Sequence, residues 1–318
     1  MAYDNSNTYK NSVASNDAYS GAKKALVVGI NYVGTSYALN GCGDDAYNMY
    51  QQFKRNGFSK IVVMTDALKG NVRNPTKEDI LYQFDRMVTT SAPGETLFFT
   101  FSGHGNLQDG TTQGEGPGNE DSIIFTADNQ TIIDTELNAI VEKLPTGVRL
   151  CGLIDACHSG TDWLLKNNLD THVDNTDPTP ESYKVLVAGC GDTQTSADAD
   201  MGPKPDGSGE DWEGAATASL LNQFKTRGFS AVTEDLFSGD VNKLKAVQQN
   251  MLDWMTQQGY TDQNPTITFE GTPVQVAAPA PILNAFSRAR SGYPLRHTPQ
   301  REERKNEYKA VAVARMNV

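Results

Sequence analysis

Residues 95–105 read ETLFFTFSGHG, and this stretch decides the fold. Glu95–Phe101 is an apolar, aromatic-rich run that predicts a buried strand, and it stops abruptly at Ser102-Gly103-His104-Gly105. Val148–Ile154 predicts a second such strand, which is followed by the sequence DACHSG at residues 155–160. In open α/β sheets, ligands bind beyond the carboxyl ends of the parallel strands. Both strand ends are therefore candidates for a functional site.

Further strands and helices alternate on either side of these two segments. Strands are predicted at Lys24–Ile30, Ile61–Met64, Lys184–Cys190 and around Thr266–Glu270. Helices are predicted at Asp44–Arg55, at Lys77–Val88 with Thr76 as N-cap, from Asp134 or Thr135 to Lys143, at Ala215–Thr226 and at Val241–Gln258. This alternation predicts the α/β class, with a mostly parallel central sheet and helices on both faces.

The charge is unevenly distributed along the 318 residues. The net charge is −12, but the segment after Gly271 carries eight Lys/Arg against three acids. We expect residues 1–21 to be a mobile leader and residues 271–318 to be a basic, extended tail. The acidic body argues against a nucleic-acid-binding core and is compatible with a cationic substrate or a divalent cation.

The composition also excludes several classes of protein. No apolar run approaches the roughly 18–20 residues of a membrane-spanning helix, and residues 1–21 lack the apolar core of a secretory signal. Four cysteines without a C-x-x-C pair do not predict a disulfide scaffold or a cysteine zinc site. We therefore expect a reduced, cytoplasmic protein with free thiols, without a membrane or nucleic-acid partner.

The two strand ends carry the residue types of nucleophilic catalysis. His104 is flanked by glycines, so it is either a general base or a turn histidine with a structural hydrogen bond. A period of two places Cys151, Leu153, Asp155 and Cys157 on one side of their strand, with Cys157 just past its end. Backbone N–H groups there can lower a thiol pKa and bind an oxyanion. Cys42, Cys151 and Cys190 are interpreted as buried, inert thiols.

Asp155 needs a separate explanation, because an unpaired buried carboxylate is costly and also raises the pKa of a nearby thiol. One explanation is that Asp155 faces a pocket and pairs with a cation brought by the substrate. The other is that it caps the turn that follows. The residues alone leave both open.

Taken together, these motifs resemble those of metacaspases. The two strand-end motifs match the family's catalytic motifs. Three further stretches agree: Gly29–Tyr32 with Leu39–Ala46, Ala188–Ala199, and Gly214–Thr217. The resemblance covers roughly residues 22–270 and implies a caspase-like α/β/α sandwich. It divides this peptidase domain into a large-subunit-like region (22–166), a linker (167–183) and a small-subunit-like region (184–270), in the order of type I metacaspases.

The resemblance implies a cysteine endopeptidase that cuts after Arg or Lys, with protein or peptide substrates and a monomeric state. By this likeness, Cys157 is the nucleophile and His104 the general base, and the N–H groups of Gly105 and Cys157 form the oxyanion hole. The primary-specificity pocket then comprises the following residues: Asp45, Ser102 and Asp155. True caspases, which cut after Asp, need arginines in this pocket, so cleavage after Asp is disfavoured.

The resemblance also implies stimulation by calcium. The matching acids are Glu120, Asp121, Asp134 and Glu136. Thr135 stands where the family has a further acid, and a solvated acidic loop is the alternative interpretation.

Self-processing is the last expectation. Lys166 borders the polar linker at the end of a predicted short helix that can fray, so we predict that an internal cut follows Lys166. A paracaspase and a catalytically silent caspase-like scaffold are the alternative functions. The sequence DTQTS at residues 192–196 argues against the first, and the presence of both His104 and Cys157 argues against the second.

Overall fold

The computed structural model describes residues 21–67, 72–109, 120–157, 163–171, 173, 182–190, 198–203 and 210–273, which all lie in one compact unit, Met1–Val276. The strands are β1 (Lys23–Gly29), β2 (Lys60–Thr65), β3 (Thr96–Ser102), β4 (Gly105–Asp109), β5 (Glu120–Phe125), β6 (Thr131–Ile133), β7 (Arg149–Asp155), β8 (Asn167–Asn168), β9 (Tyr183–Ala188), β10 (Asp198–Pro203), β11 (Glu210–Gly214) and β12 (Thr266–Gly271). The helices are α1 (Cys42–Arg55), α2 (Lys77–Thr89), α3 (Asp134–Val141), α4 (Ala215–Arg227), α5 (Phe229–Leu236) and α6 (Val241–Gln257).

A seven-stranded sheet forms the centre, in the order β2-β1-β3-β7-β9-β12-β8. The pairs β1–β2, β1–β3, β3–β7 and β7–β9 are parallel, whereas β12 is antiparallel to both β9 and β8. The mostly parallel sheet is therefore confirmed.

Helices cover both faces of this sheet, because each central strand is apolar on both sides. On one face, Met49 and Phe53 of α1 and Leu220 of α4 pack with Cys151 and Leu153 of β7. On the other face, side chains of α2 and α3 pack with neighbouring strand residues: Ile80, Phe84, Leu137, Phe99 and Ile154. The alternation along β7 is as predicted, and the layered α/β/α arrangement is confirmed.

Capping groups define several helix ends. Thr76 accepts a hydrogen bond from the Asp79 N–H (3.3 Å), as predicted for the start of α2, and Asp240 accepts one from the Asn242 N–H (2.9 Å) at the start of α6. No helix among the described residues is long and apolar enough to cross a membrane.

Several elements were not predicted from the sequence. Helix α5 follows α4 with only Gly228 between them, at a φ of 91° that breaks the helical run. A three-stranded sheet, β4-β5-β6, and a hairpin, β10–β11, lie outside the central sheet. The predicted short helix before Lys166 is wrong, because residues 163–166 are not helical and lead into β8, which pairs with β12.

Candidate active site

Three adjacent strands end in the same register. Gly29 of β1 pairs with Ser102 of β3, and Ser102 pairs with Asp155 of β7. Since β1, β3 and β7 are parallel neighbours, the chain leaves all three at one edge of the sheet. The segments that follow carry Tyr32, His104 and Cys157.

The backbone of Gly105 lies directly against Cys157. A Cβ atom at Gly105 would lie 2.2 Å from the Cys157 carbonyl oxygen and 3.1 Å from the Ala156 Cβ, so only glycine permits this approach. The structure therefore brings together the His104–Gly105 turn and the Cys157 turn, which are far apart in sequence. His158 and Ser159 of the second motif lie outside the described residues.

Cys157 differs from the other three cysteines in its exposure. It is half-buried, whereas Cys42, Cys151 and Cys190 are buried. Burial raises the pKa of the Cys151 thiol, and the Cys190 Sγ lies 3.3 Å from the Ala156 carbonyl oxygen. The inert role predicted for these thiols fits this burial, and Cys157 is the accessible one.

The His104 imidazole has a defined tautomer. Its Nε2 lies 2.7 Å from the carbonyl oxygen of Tyr37, and a carbonyl oxygen can only accept, so Nε2 carries the hydrogen. In the neutral ring, Nδ1 is then the basic nitrogen. The Tyr32 ring stacks on the imidazole, with centroids 4.7 Å apart, and the Tyr37 ring meets it edge-on at 6.0 Å.

Two buried carboxylates lie beneath these turns. Asp45, from the first turn of α1, accepts hydrogen bonds from the Ser102 hydroxyl and from the Gly214 N–H (3.0 Å). Asp155 accepts one from the Thr217 N–H (2.7 Å) in the first turn of α4. A Cβ at Gly214 would lie 2.3 Å from Asp155 Oδ2 and 3.0 Å from Asp45 Oδ2, so the backbone of Gly214 fits between the two carboxylates.

Two buried carboxylates this close together are electrostatically unfavourable. Burial, followed by the charge of Asp155, raises the pKa of Asp45 well above its usual range. Glu213, which accepts a hydrogen bond from Asn48 Nδ2, raises the pKa of Asp45 further. The start of α4 offers Asp155 the partial positive charge of a helix N-terminus, so this carboxylate caps α4.

Two of the acids predicted for calcium have defined partners in the structure. Asp134 accepts hydrogen bonds from the Ser122 and Thr135 N–H groups (3.0 and 2.6 Å). Glu136 accepts one from the Ile133 N–H (3.1 Å) and pairs with Lys77 (2.8 Å). No group of three potential metal-ligating acids, histidines or cysteines occurs within the described parts of the chain.

Asp121 is buried, and the side chain of Glu120 lies outside the description. The carboxylates of Asp134 and Glu136 accept backbone hydrogen bonds, and Glu136 also forms an ion pair with Lys77. Calcium binding by the predicted acids stays a prediction.

Lys166 lies away from the two strand-end turns. Its side chain pairs with Glu270 (3.5 Å), and the side chain of the next residue, Asn167, is buried and donates to the Phe269 carbonyl (3.1 Å). Asn167 lies level with Cys151 across three strand spacings. With about 3.3 Å per residue and 4.8 Å per strand, Lys166 lies about 20 Å from the end of β7.

The sequence did not predict the roles of Tyr32, Tyr37, Gly214 and Thr217 at this site. Tyr32 and Gly214 belong to stretches that carried the family resemblance, which was the available signal. Their contacts depend on backbone geometry, namely a positive φ at Tyr32 and a close approach at Gly214.

Comparison with known proteins gives a consistent result. Residues 23–165 match the family model described as "Metacaspase, peptidase C14 domain". Metacaspase-2 of Arabidopsis thaliana is 36% identical over 221 residues, which are 63% of this chain and 51% of that protein. Metacaspase-1 of Saccharomyces cerevisiae is 39% identical over 149 residues, which are 44% of this chain and 34% of that protein. The chain thus spans about half of the first relative and about a third of the second.

A solved structure shares the fold. A crystal structure of a Geobacter sulfurreducens protein superimposes with a TM-score of 0.55 at 22% identity, covering 80% of this chain and 95% of that one. At this identity the likeness shows the fold alone. Together with the family match and the observed sheet, it confirms the predicted caspase-like α/β fold.

Proposed function

Because the chain belongs to the metacaspase family, we propose that it is a cysteine endopeptidase that cleaves peptide bonds after Arg or Lys. The observation that carries this proposal is the placement of two buried carboxylates, Asp45 and Asp155, directly beneath the His104 and Cys157 turns. A cationic side chain bound by these carboxylates would place the following peptide bond at these turns.

The chemistry follows from the accessible thiol and the tautomer of the imidazole. His104 Nδ1 takes the proton from Cys157 Sγ, and the thiolate attacks the carbonyl carbon of the scissile bond. The N–H groups of Gly105 and Cys157 donate to the oxyanion that forms. The imidazolium then gives its proton to the leaving amine, which leaves an acyl-enzyme. His104 activates a water molecule that hydrolyses this intermediate and restores the thiol.

Specificity follows from charge and geometry. A guanidinium can donate hydrogen bonds to two carboxylates at once, and Lys can satisfy both as a point charge. An Asp side chain would bring a third negative charge to Asp45 and Asp155, which already repel each other. Ser102 contributes by holding Asp45 in place.

Hydrolysis of fluorogenic peptides tests the proposal. Wild type is expected to release the fluorophore from peptides ending in Arg or Lys and not from peptides ending in Asp. Cys157→Ala is expected to abolish this activity, whereas Cys42→Ala, which removes a buried thiol, retains it. Equal hydrolysis by wild type and Cys157→Ala would contradict the proposal. Absence of hydrolysis by every variant would favour the silent scaffold.

On the basis of the family resemblance, we also propose stimulation by calcium and self-cleavage after Lys166. No step of the chemistry above depends on calcium. Peptide hydrolysis with calcium and with a chelator tests the first. Intact-mass analysis of wild type and Cys157→Ala tests the second.

A further inference from the structure

We propose that Tyr32 is a positioning residue for His104. The Tyr32 hydroxyl binds the backbone of His104, and the Tyr32 ring packs against the imidazole. This inference rests on the proposed role of His104 as the base. Tyr32 lies in the loop after β1, outside both strand-end motifs. Three independent sets of contacts support it.

The first set fixes the backbone of His104. The His104 N–H donates to the Tyr32 hydroxyl (2.8 Å), and this hydroxyl donates to the Phe125 carbonyl (3.0 Å). The Phe125 N–H in turn donates to the His104 carbonyl (3.0 Å). Both backbone polar groups of His104 are therefore bound. Burial raises the pKa of Tyr32, so its hydroxyl stays protonated and remains a donor.

The second set fixes the imidazole ring. The Tyr32 ring covers one face of the imidazole at an interplanar angle of 30°, and the Tyr37 carbonyl binds Nε2–H. These contacts restrict the rotation of the ring and keep Nδ1 as the base. An aromatic face also attracts a cation, so Tyr32 favours the imidazolium that forms when Cys157 loses its proton.

The third set fixes Tyr32 itself. Its φ of 51° is in the left-handed region, which is strained for a residue with a side chain. The N–H groups on either side of it, of Asn31 and Val33, both donate to the Asp66 carboxylate (2.7 and 3.0 Å). The Thr35 N–H and hydroxyl bind the Tyr32 carbonyl (3.1 and 2.7 Å). Tyr32 is thus held by a network that does not include His104.

The test separates the hydroxyl from the ring. Tyr32→Phe removes only the hydroxyl, and we expect kcat to fall about 10- to 100-fold with little change in KM, because the base is misplaced after the substrate has bound. Tyr32→Leu also removes the ring. In a Cys157→Ala background, amide hydrogen exchange at His104 is expected to be faster in both variants than in the parent, because the His104 N–H loses the Tyr32 hydroxyl as acceptor.

Tyr183→Phe is the matched control, because Tyr183 is a fully buried tyrosine at the start of β9, away from the strand-end turns. A wild-type kcat in folded Tyr32→Phe, with only a lower melting temperature, would overturn the inference. If Tyr32→Leu does not fold, the kcat and KM of Tyr32→Phe decide. If wild type shows no hydrolysis that depends on Cys157, the proposed function fails. Amide hydrogen exchange then still decides whether Tyr32 acts on His104, and exchange at the parent rate in Tyr32→Phe would overturn that contact.

Discussion

Asp45→Asn is expected to make the empty protein more stable and the enzyme much less active. The amide can keep the contacts of the carboxylate, since its oxygen can accept from the Gly214 N–H and its nitrogen can donate to the Ser102 hydroxyl. The substitution therefore removes the charge and little else. Buried carboxylates that are purely structural would give the opposite result for stability.

The magnitude follows from the distances around Gly214. The Oδ2 atoms of Asp45 and Asp155 lie within about 5 Å of each other, because both surround the same Cβ position. At an effective dielectric constant of about 20, two charges at this distance repel each other by about 3 kcal/mol. Uptake of a proton by Asp45 relieves part of this repulsion, so the gain in stability is smaller than the full repulsion between the two charges. Each kcal/mol corresponds to about 2–4 °C in melting temperature for a domain of this size.

The loss of activity has its own scale. Removing one partner of a desolvated charge contact costs about 2–5 kcal/mol, which corresponds to about a 30- to 5,000-fold decrease in kcat/KM for a peptide ending in Arg. Thermal unfolding and peptide hydrolysis measure the two effects on the same sample. Asp44→Asn is the control, because it makes the same change of charge one residue earlier on α1. A lower melting temperature for Asp45→Asn, or undiminished cleavage after Arg, would refute the reasoning.

Four further results are expected. Because its pKa is raised, Asp45 takes up a proton as the pH falls. The KM for peptides ending in Arg should therefore rise at acid pH in wild type but not in Asp45→Asn. Parallel curves of KM against pH for the two proteins would contradict this. The free energies of unfolding of wild type and Asp45→Asn should differ little near pH 4, and the difference should widen as the pH rises. The reason is that a raised pKa in the folded state costs stability only above the pKa of the unfolded state. Urea unfolding at several pH values measures this difference. Gly105→Ala should lower kcat at least about 100-fold, because its Cβ would displace the Cys157 carbonyl and the oxyanion hole beside it, and a wild-type kcat would contradict the proposed role. Any cut after Lys166 should be intermolecular, because Lys166 lies about 20 Å from the end of β7. Wild type should then cleave a tagged Cys157→Ala protein at a rate proportional to the enzyme concentration. A cleavage rate that does not change on dilution would exclude an intermolecular cut.

The central sheet could be predicted because its strands are buried on both faces. The strands predicted at Lys24–Ile30 and Val148–Ile154 differ by only one residue at each end from the observed β1 and β7. Their apolar runs leave little choice of register or class. By contrast, β8 has two residues, and its pairing with β12 depends on tertiary contacts of Asn167 that no local pattern indicates.

The site could be predicted only in part, for a related reason. His104, Cys157 and Asp155 follow strand ends directly, so a prediction of strands already places them together. The role of Asp45 could be predicted only from the family resemblance, because Asp45 lies on α1 and not at a strand end. The contribution of Tyr32 depends on a positive φ that Asp66 maintains from another loop, and a sequence pattern does not show such a conformation.

The cost of the acidic pocket is part of the proposed specificity. Asp45 and Asp155 are buried, close together and held by backbone N–H groups of Gly214 and Thr217, so the pocket cannot relax by turning one carboxylate to water. A cationic side chain would add an attraction to each carboxylate that outweighs their mutual repulsion, whereas a neutral side chain would add none. The proposed discrimination in favour of Arg and Lys therefore comes from this attraction, in a site that stays unfavourable for neutral and acidic side chains.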